Sequence, residues 1–365
     1  MTDLMPLKGY DYIEFYVGNA LQAAHYYRTA FGFDIVGYAG PETGVRDRAS
    51  YVLQQNDLRF VLTAGLHPGH EVTEHHHNHG DGVKDVAFTV PDAEQAFEVA
   101  LERGATGSRK PEVLEDEHGR IVVSAIHAYG DTIHTFVERS EYDGLFMPGY
   151  RSVADRPPAS SMGLRYVDHV VCNVELGAMD EWAGFYAQVM GFTQLHHFDD
   201  EAISTDYTAL MSKVLWDGEG RIKLPINEPA DGKKKSQIEE YLDFYHAPGV
   251  QHMALATDDI VATVSAMRDA GVKFLEVPDT YYEDLRERLD WSTIDADIDE
   301  LARLGVLVDQ DDEGYLLQLF TENVQERPTV FYEVIERHGS RGFGLGNFKA
   351  LFEAIERAQA ERGNL

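Results

Sequence analysis

Cysteine is nearly absent: Cys172 stands alone in 365 residues, which rules out an intramolecular disulfide. Basic residues are scarce too. Lys and Arg number 31, only 10 of them lysine, against 63 acids, and the formal charge is −32. Nucleic acid and anionic membrane surfaces, which both need a cationic face, are therefore poor partners. Uncharged apolar stretches such as 121–126 and 329–332 fall far below the ~20 residues of a membrane helix. The opening MTDLMPLKGYDY has neither the cationic nor the apolar region of a signal peptide. The sequence reads as a cytoplasmic protein with no membrane segment.

What remains is ample for packed cores, with 44% hydrophobic and 11% aromatic residues. At roughly 100–200 residues per domain, this length suggests two domains. The acid excess runs along the whole chain, which suits a salt-rich cytoplasm where dense carboxylates keep a protein hydrated. An acidic surface in an ordinary cytoplasm is the other reading.

The chain repeats itself. DYIEFYVGN from Asp11, followed by a helical stretch ending at Phe31-Gly32-Phe33, returns as DHVVCNVE from Asp168, followed by one ending at Met190-Gly191-Phe192. A second pair is GVKDVAF from Gly82 against GVQHMAL from Gly249, and a weaker third is TFVER from Thr135 against EVIER from Glu333. Each copy reads as strand, helix, then several strands, an α+β pattern. Trp182, Phe185, Tyr186 and Val189 share one helical face, and Gly191 sits where a C-cap belongs. The boundaries fall at 1–152 for the first module, 153–163 for a linker containing Pro157-Pro158, and 164–365 for the second.

Where the copies differ, the difference is chemical. Tyr12 matches His169, Asp85 matches His252, and Thr135 matches Glu333. The ligand-type residues lie 83 and 81 positions apart, so three strands must converge to join them. Glu333 lies in the apolar run TVFYEVI, where an unpaired carboxylate would cost several kcal/mol or take up a proton. A divalent metal removes that cost. Two imidazoles and one carboxylate with the opposite positions open suit a non-haem Fe(II) oxygenase, and the same set could hold zinc for hydrolysis.

The stretches YTALMS (207–212), LPINEP (224–229), KSQI (235–238), GVQH (249–252), GYLLQLF (314–320), RPTVFYE (327–333) and GFGLGNFKALF (342–352) occur in one order. In that order they closely resemble the 4-hydroxyphenylpyruvate dioxygenase family of the vicinal oxygen chelate superfamily. The resemblance implies tandem βαβββ modules forming two open barrels, the C-terminal one closed by a C-terminal helix. It implies one Fe(II) per subunit on His169, His252 and Glu333, and conversion of 4-hydroxyphenylpyruvate and O2 to homogentisate and CO2. The substrate's own α-keto acid supplies the electrons. Phe331, Phe343 and Phe348 would wall the ring, and Ser212, Asn227, Gln237 and Gln251 would line the phenol end. Gln318 and Phe320 would lie near the metal and keto-acid side, and Asn347 would join the substrate contacts. The sister activity, hydroxymandelate synthase, usually has a smaller aliphatic residue at the position of Phe348. A metal-free binding module of the superfamily is a further alternative. Homo-oligomers, dimeric or tetrameric, are common in the family.

Three other features carry weaker expectations. His67, His70, His75, His76, His77 and His79 read as a solvated loop or helix surface, and Cys172 as a buried thiol facing away from His169. Phe348, Leu351, Phe352 and Ile355 give 347–361 one apolar helical face. The glycines before it suit a helix that closes over the site and opens for product.

Overall fold

Asparagine, aspartate and serine at helix starts, and alternation along the strands, set the local structure. Asn19, Asp92, Ser236 and Asp259 each accept a hydrogen bond from the first turn of the helix that follows. In the computed structural model, which describes residues 5–153, 158–198, 209–230 and 232–364, the duplication becomes two mixed sheets. The first contains β1 (Tyr10–Tyr16), β2 (Asp34–Ala39), β3 (Arg48–Gln55), β4 (Leu58–Gly65), β5 (Gly82–Thr89), β6 (Gly107–Asp116), β7 (Gly119–His127), β8 (Ile133–Glu138) and the short β9 (Arg151–Ser152). The second contains β10 (Leu164–Asn173), β11 (Thr193–Phe198), β12 (Ala209–Trp216), β13 (Lys223–Ala230), β14 (Gly249–Thr257), β15 (Leu307–Asp311), β16 (Gly314–Phe320) and β17 (Phe331–His338). The helices are α1 (Ala20–Ala30), α2 (Glu71–His79), α3 (Ala93–Glu102), α4 (Met179–Met190), α5 (Gln237–Tyr245), α6 (Ile260–Asp269), α7 (Asp279–Arg288), α8 (Ile298–Leu304) and α9 (Phe348–Glu361).

Strand order is the same in both sheets. It runs β2-β3-β4-β1-β5-β8-β7-β6 in the first, with β9 added beside β2, and β11-β12-β13-β10-β14-β17-β16-β15 in the second. Each sheet thus holds two βαβββ units, so the repeat seen between the halves also occurs within each half. The units meet at antiparallel central pairs, β1–β5 and β10–β14. Each central strand also runs parallel to a strand of its own unit, as in β14–β17. All nine residues of β14 are buried, because one face lines a cavity and the other packs into the core. No helix among the described residues is long and apolar enough to cross a membrane. Within the expected linker, Ala159 N–H donates to Asp34 and Met162 N–H to Gln55. Residues 154–157 of that linker, and Tyr207 and Thr208 of the YTALMS stretch, lie outside the described residues.

The hollow of the first sheet is filled by its own chain. Phe146 and Met147 pack on Tyr12, Val52, Val61 and Val123, and the Tyr12 and Phe146 rings meet edge-on at 5.3 Å. Tyr12, Asp85 and Thr135 do converge, as the duplication implies. The Tyr12 hydroxyl donates to Asp85 at 2.9 Å, and the Thr135 hydroxyl and N–H donate to it at 2.5 and 3.0 Å. Burial nevertheless pushes the Asp85 carboxyl up to about 6. A carboxyl pKa raised on folding costs stability once pH exceeds the unfolded value, and the full cost, about 3 kcal/mol, is reached above the folded one. Asp85→Asn, which cannot ionise, should therefore gain in melting temperature on the parent chain between pH 5 and pH 7.5. A difference independent of pH would show that Asp85 titrates as an ordinary carboxyl.

Candidate metal centre

Three neighbouring strands present the three expected ligands. His169 comes from β10, His252 from β14 and Glu333 from β17, and their ligand atoms lie within 4.8 Å of one another. Glu333 Oε2 is 3.1 Å from His169 Nε2 and 3.6 Å from His252 Nε2. Its other oxygen, Oε1, is buried with no hydrogen-bond partner. Burial alone would raise the Glu333 carboxyl, but the two imidazoles outweigh it and hold it at about 2. An orphaned buried oxygen beside two imidazole nitrogens fits a divalent cation taking N and O donors.

The outer ring of contacts fixes which imidazole nitrogen faces the centre of the triad. Asp168 Oδ1 is 2.7 Å from His169 Nδ1, and Gln251 Oε1 is 3.0 Å from His252 Nδ1. In each pair Nδ1–H donates to the oxygen, which leaves Nε2 as the nitrogen that can bind a metal. Asp168 is itself clamped by Arg337, at 2.8 Å to each carboxylate oxygen, and by Lys223 at 3.0 Å. Burial works against its charge, but Arg337, His169 and Lys223 together hold the carboxyl well below the usual range. Sequence reasoning missed this clamp, although it left a signal. Asp11 and Arg139 stand at the matching positions of the first module and make the same two-point pair, at 2.7 and 2.5 Å.

Above the triad lies a cavity with aromatic walls. Phe331 stacks on His252 at 4.8 Å, Phe320 meets the same ring edge-on at 5.9 Å, and Phe343 lies 5.0 Å from His169. Phe348 packs at 5.1 Å against Phe198. Ser212, Asn227, Gln237 and Gln251 line the same space, as do Pro225, Leu210, Val214 and Phe198, which the sequence did not single out. Two expected residues are not among those that line it. Gln318 pairs with Ile335, one pleat beyond the Phe320–Glu333 pair. Its buried amide lies beneath Gly344, where a β-carbon would come within 2.2 Å of Nε2. The Asn347 side chain turns instead toward the Tyr281 hydroxyl, 2.6 Å away.

Helix α9 covers the cavity with Phe348, Leu351, Phe352 and Ile355, the face expected from their spacing. Its far end is tied to α5. Buried Glu240 accepts from Arg362 at 2.7 and 3.3 Å and from Asn364 at 2.8 Å. The histidine tract departs from expectation. Its residues from 71 onward form α2, but His75 and His79 are buried, and His79 is held between Asp131 and the Tyr245 carbonyl at the junction of the modules. Docking of α2 on α5, not local sequence, buries these two rings.

Comparison with known proteins points one way. Residues 166–319 match the family model described as glyoxalase/bleomycin resistance protein/dioxygenase superfamily, and residues 1–150 match the one described as hydroxyphenylpyruvate dioxygenase, N-terminal. A 4-hydroxyphenylpyruvate dioxygenase from Dictyostelium discoideum is 47% identical over 98% of this chain and all of its own. One from Danio rerio is 47% identical over 98% of this chain and 92% of its own. A solved structure of a triple mutant of 4-hydroxymandelate synthase from Streptomyces coelicolor is similar with a TM-score of 0.87 at 32% identity, covering 97% of this chain and 100% of that one.

Two tests follow from the geometry. Asp168→Asn should weaken Co(II) binding by on the order of 10–100-fold, the usual cost of losing a ligand's outer partner; an unchanged titration would remove Asp168 from the site. Glu240→Ala should speed amide exchange across 348–361 while Co(II) affinity holds, and unaltered exchange would show that α9 is held by other contacts.

Proposed function

The chain belongs to the 4-hydroxyphenylpyruvate dioxygenase family, and from that membership we propose that it converts 4-hydroxyphenylpyruvate and O2 to homogentisate and CO2. One Fe(II) per chain would be held by His169, His252 and Glu333. The observation that carries this reading is the buried triad opening into an aromatic-walled cavity under α9. Residues 164–365 would form the catalytic module, 1–152 the module without ligands, and 153–163 the connection. We infer a cytoplasmic homo-oligomer, a dimer or tetramer.

Bound at the triad, Fe(II) supplies a redox-active Lewis acid at which the α-keto acid and O2 meet. Both oxygen atoms have a destination: one enters the new carboxylate as CO2 leaves, the other the ring hydroxyl. The electrons come from the keto acid. The chain's own part is placement and exclusion. Phe331, Phe343 and Phe348 hold the ring flat, Phe320 packs beside the metal end, and Ser212, Asn227, Gln237 and Gln251 give the phenol oxygen polar partners. Asp168 and Gln251 accept from the Nδ1–H groups of His169 and His252 and so turn each Nε2 toward the metal. Helix α9 keeps water from the reacting atoms. Gln318 and Asn347 act one step back, Gln318 beneath Gly344 and Asn347 through Tyr281, and both support the segment that carries Phe343.

Ring placement separates this activity from its sister. Phe348 projects from the first turn of α9 onto the cavity, so shortening it lets the ring shift. The parent protein, reconstituted anaerobically with Fe(II) and then given substrate and O2, should yield homogentisate by chromatography and mass. Phe348→Ile should move part of the product toward 4-hydroxymandelate. Hydroxymandelate from the parent protein would assign it the sister activity, and no product of either kind would overturn both.

A further inference from the structure

Tyr332 lies between two residues of the site and points away from it. The pleat of β17 turns Phe331 and Glu333 toward the cavity and sends the Tyr332 ring into the core of the first module. There it is fully buried, 4.9 Å from the Phe31 ring and 5.9 Å from Tyr27, and its hydroxyl is 2.7 Å from the Tyr27 hydroxyl. Its backbone is fixed on both sides by one residue. Tyr332 N–H donates to the Thr321 hydroxyl at 3.0 Å, and Thr321 N–H donates to the Tyr332 carbonyl at 2.8 Å.

Two phenylalanines would fill this space with nearly the same apolar area. Burying a hydroxyl is costly unless it is bonded, so the tyrosine pair contributes direction rather than hydrophobic stabilisation. A close-packed interior transmits displacement instead of absorbing it. A shift at residue 332 therefore moves the residues peptide-bonded to it.

We infer that Tyr332 is a positioning residue: its hydroxyl pair with Tyr27 sets β17 against the first module and thereby sets where Glu333 presents its carboxylate and Phe331 its ring. The first module then serves as the rigid backing of a metal ligand it does not itself contain. This inference rests on the reading of His169, His252 and Glu333 as metal ligands.

The test is Co(II) titration, with the visible absorption of bound Co(II) and the melting temperature of metal-free protein, for Tyr332→Phe, Tyr27→Phe, the double variant and Tyr12→Phe. Tyr12→Phe removes a buried hydroxyl bond of the first module, in a core cluster separate from that of Tyr332, and controls for general destabilisation. Tyr332→Phe and Tyr27→Phe should each weaken Co(II) binding by about two- to tenfold, the span of one hydrogen bond, and shift the absorption bands. The double variant should be no worse than either single one, because one bond is lost in all three. Tyr12→Phe should melt earlier yet bind Co(II) as the parent does. Unchanged affinity and spectrum in Tyr332→Phe, or equal weakening in Tyr12→Phe, would overturn the inference. Failure of the parent protein to bind Co(II) would instead overturn the ligand assignment, and this inference with it.

Discussion

One buried carboxylate organises the centre. Asp168 on β10 takes Lys223 from β13 and Arg337 from β17, and directs His169 toward the metal position. An isolated buried charge of this kind would cost several kcal/mol, and here two cations and an imidazole N–H satisfy it. Arg337 extends the same network. It donates to the carbonyls of Ser340 and Gly342, and its guanidinium lies 5.6 Å from the centre of the Phe343 ring. A single charge therefore joins three strands, one ligand and the segment that leads into the covering helix.

The first module holds the same clamp beside a different set of side chains. Asp11 and Arg139 repeat the pair, yet the ligand positions hold Tyr12, Asp85 and Thr135, and the hollow is packed with Phe146 and Met147. The clamp therefore belongs to the architecture of both halves, and among the described residues the His-His-Glu cluster occurs in one. What the first half contributes instead is an aromatic bed of Phe31, Phe60 and Tyr27 beneath β17.

Legibility followed the range of the interactions. The triad could be read because duplicated strands differ at matched positions, and the covering helix because its apolar face has a local period. The aromatic walls needed the family resemblance, since a phenylalanine in an apolar strand looks the same in any core. Asp168 stands in the sequence as one of many acids, and only its repeat partner Asp11 marks it. That Tyr332 faces away from the metal follows from strand alternation, but its partner Tyr27 is 305 positions distant and appears only when the modules dock. The same docking buries His75 and His79. Gln318 and Asn347 gave no such signal: the Gln318 amide meets Gly344 and the Asn347 amide meets Tyr281, contacts that spacing does not show.

The proposed reaction requires one metal ion among three residues brought together from three strands. Iron-edge anomalous diffraction from crystals of Fe(II)-loaded protein tests it directly. One peak per chain is expected, within bonding distance of His169 Nε2, His252 Nε2 and Glu333. A peak at the histidines of α2 with none at the triad, or no ordered iron at all, would contradict it.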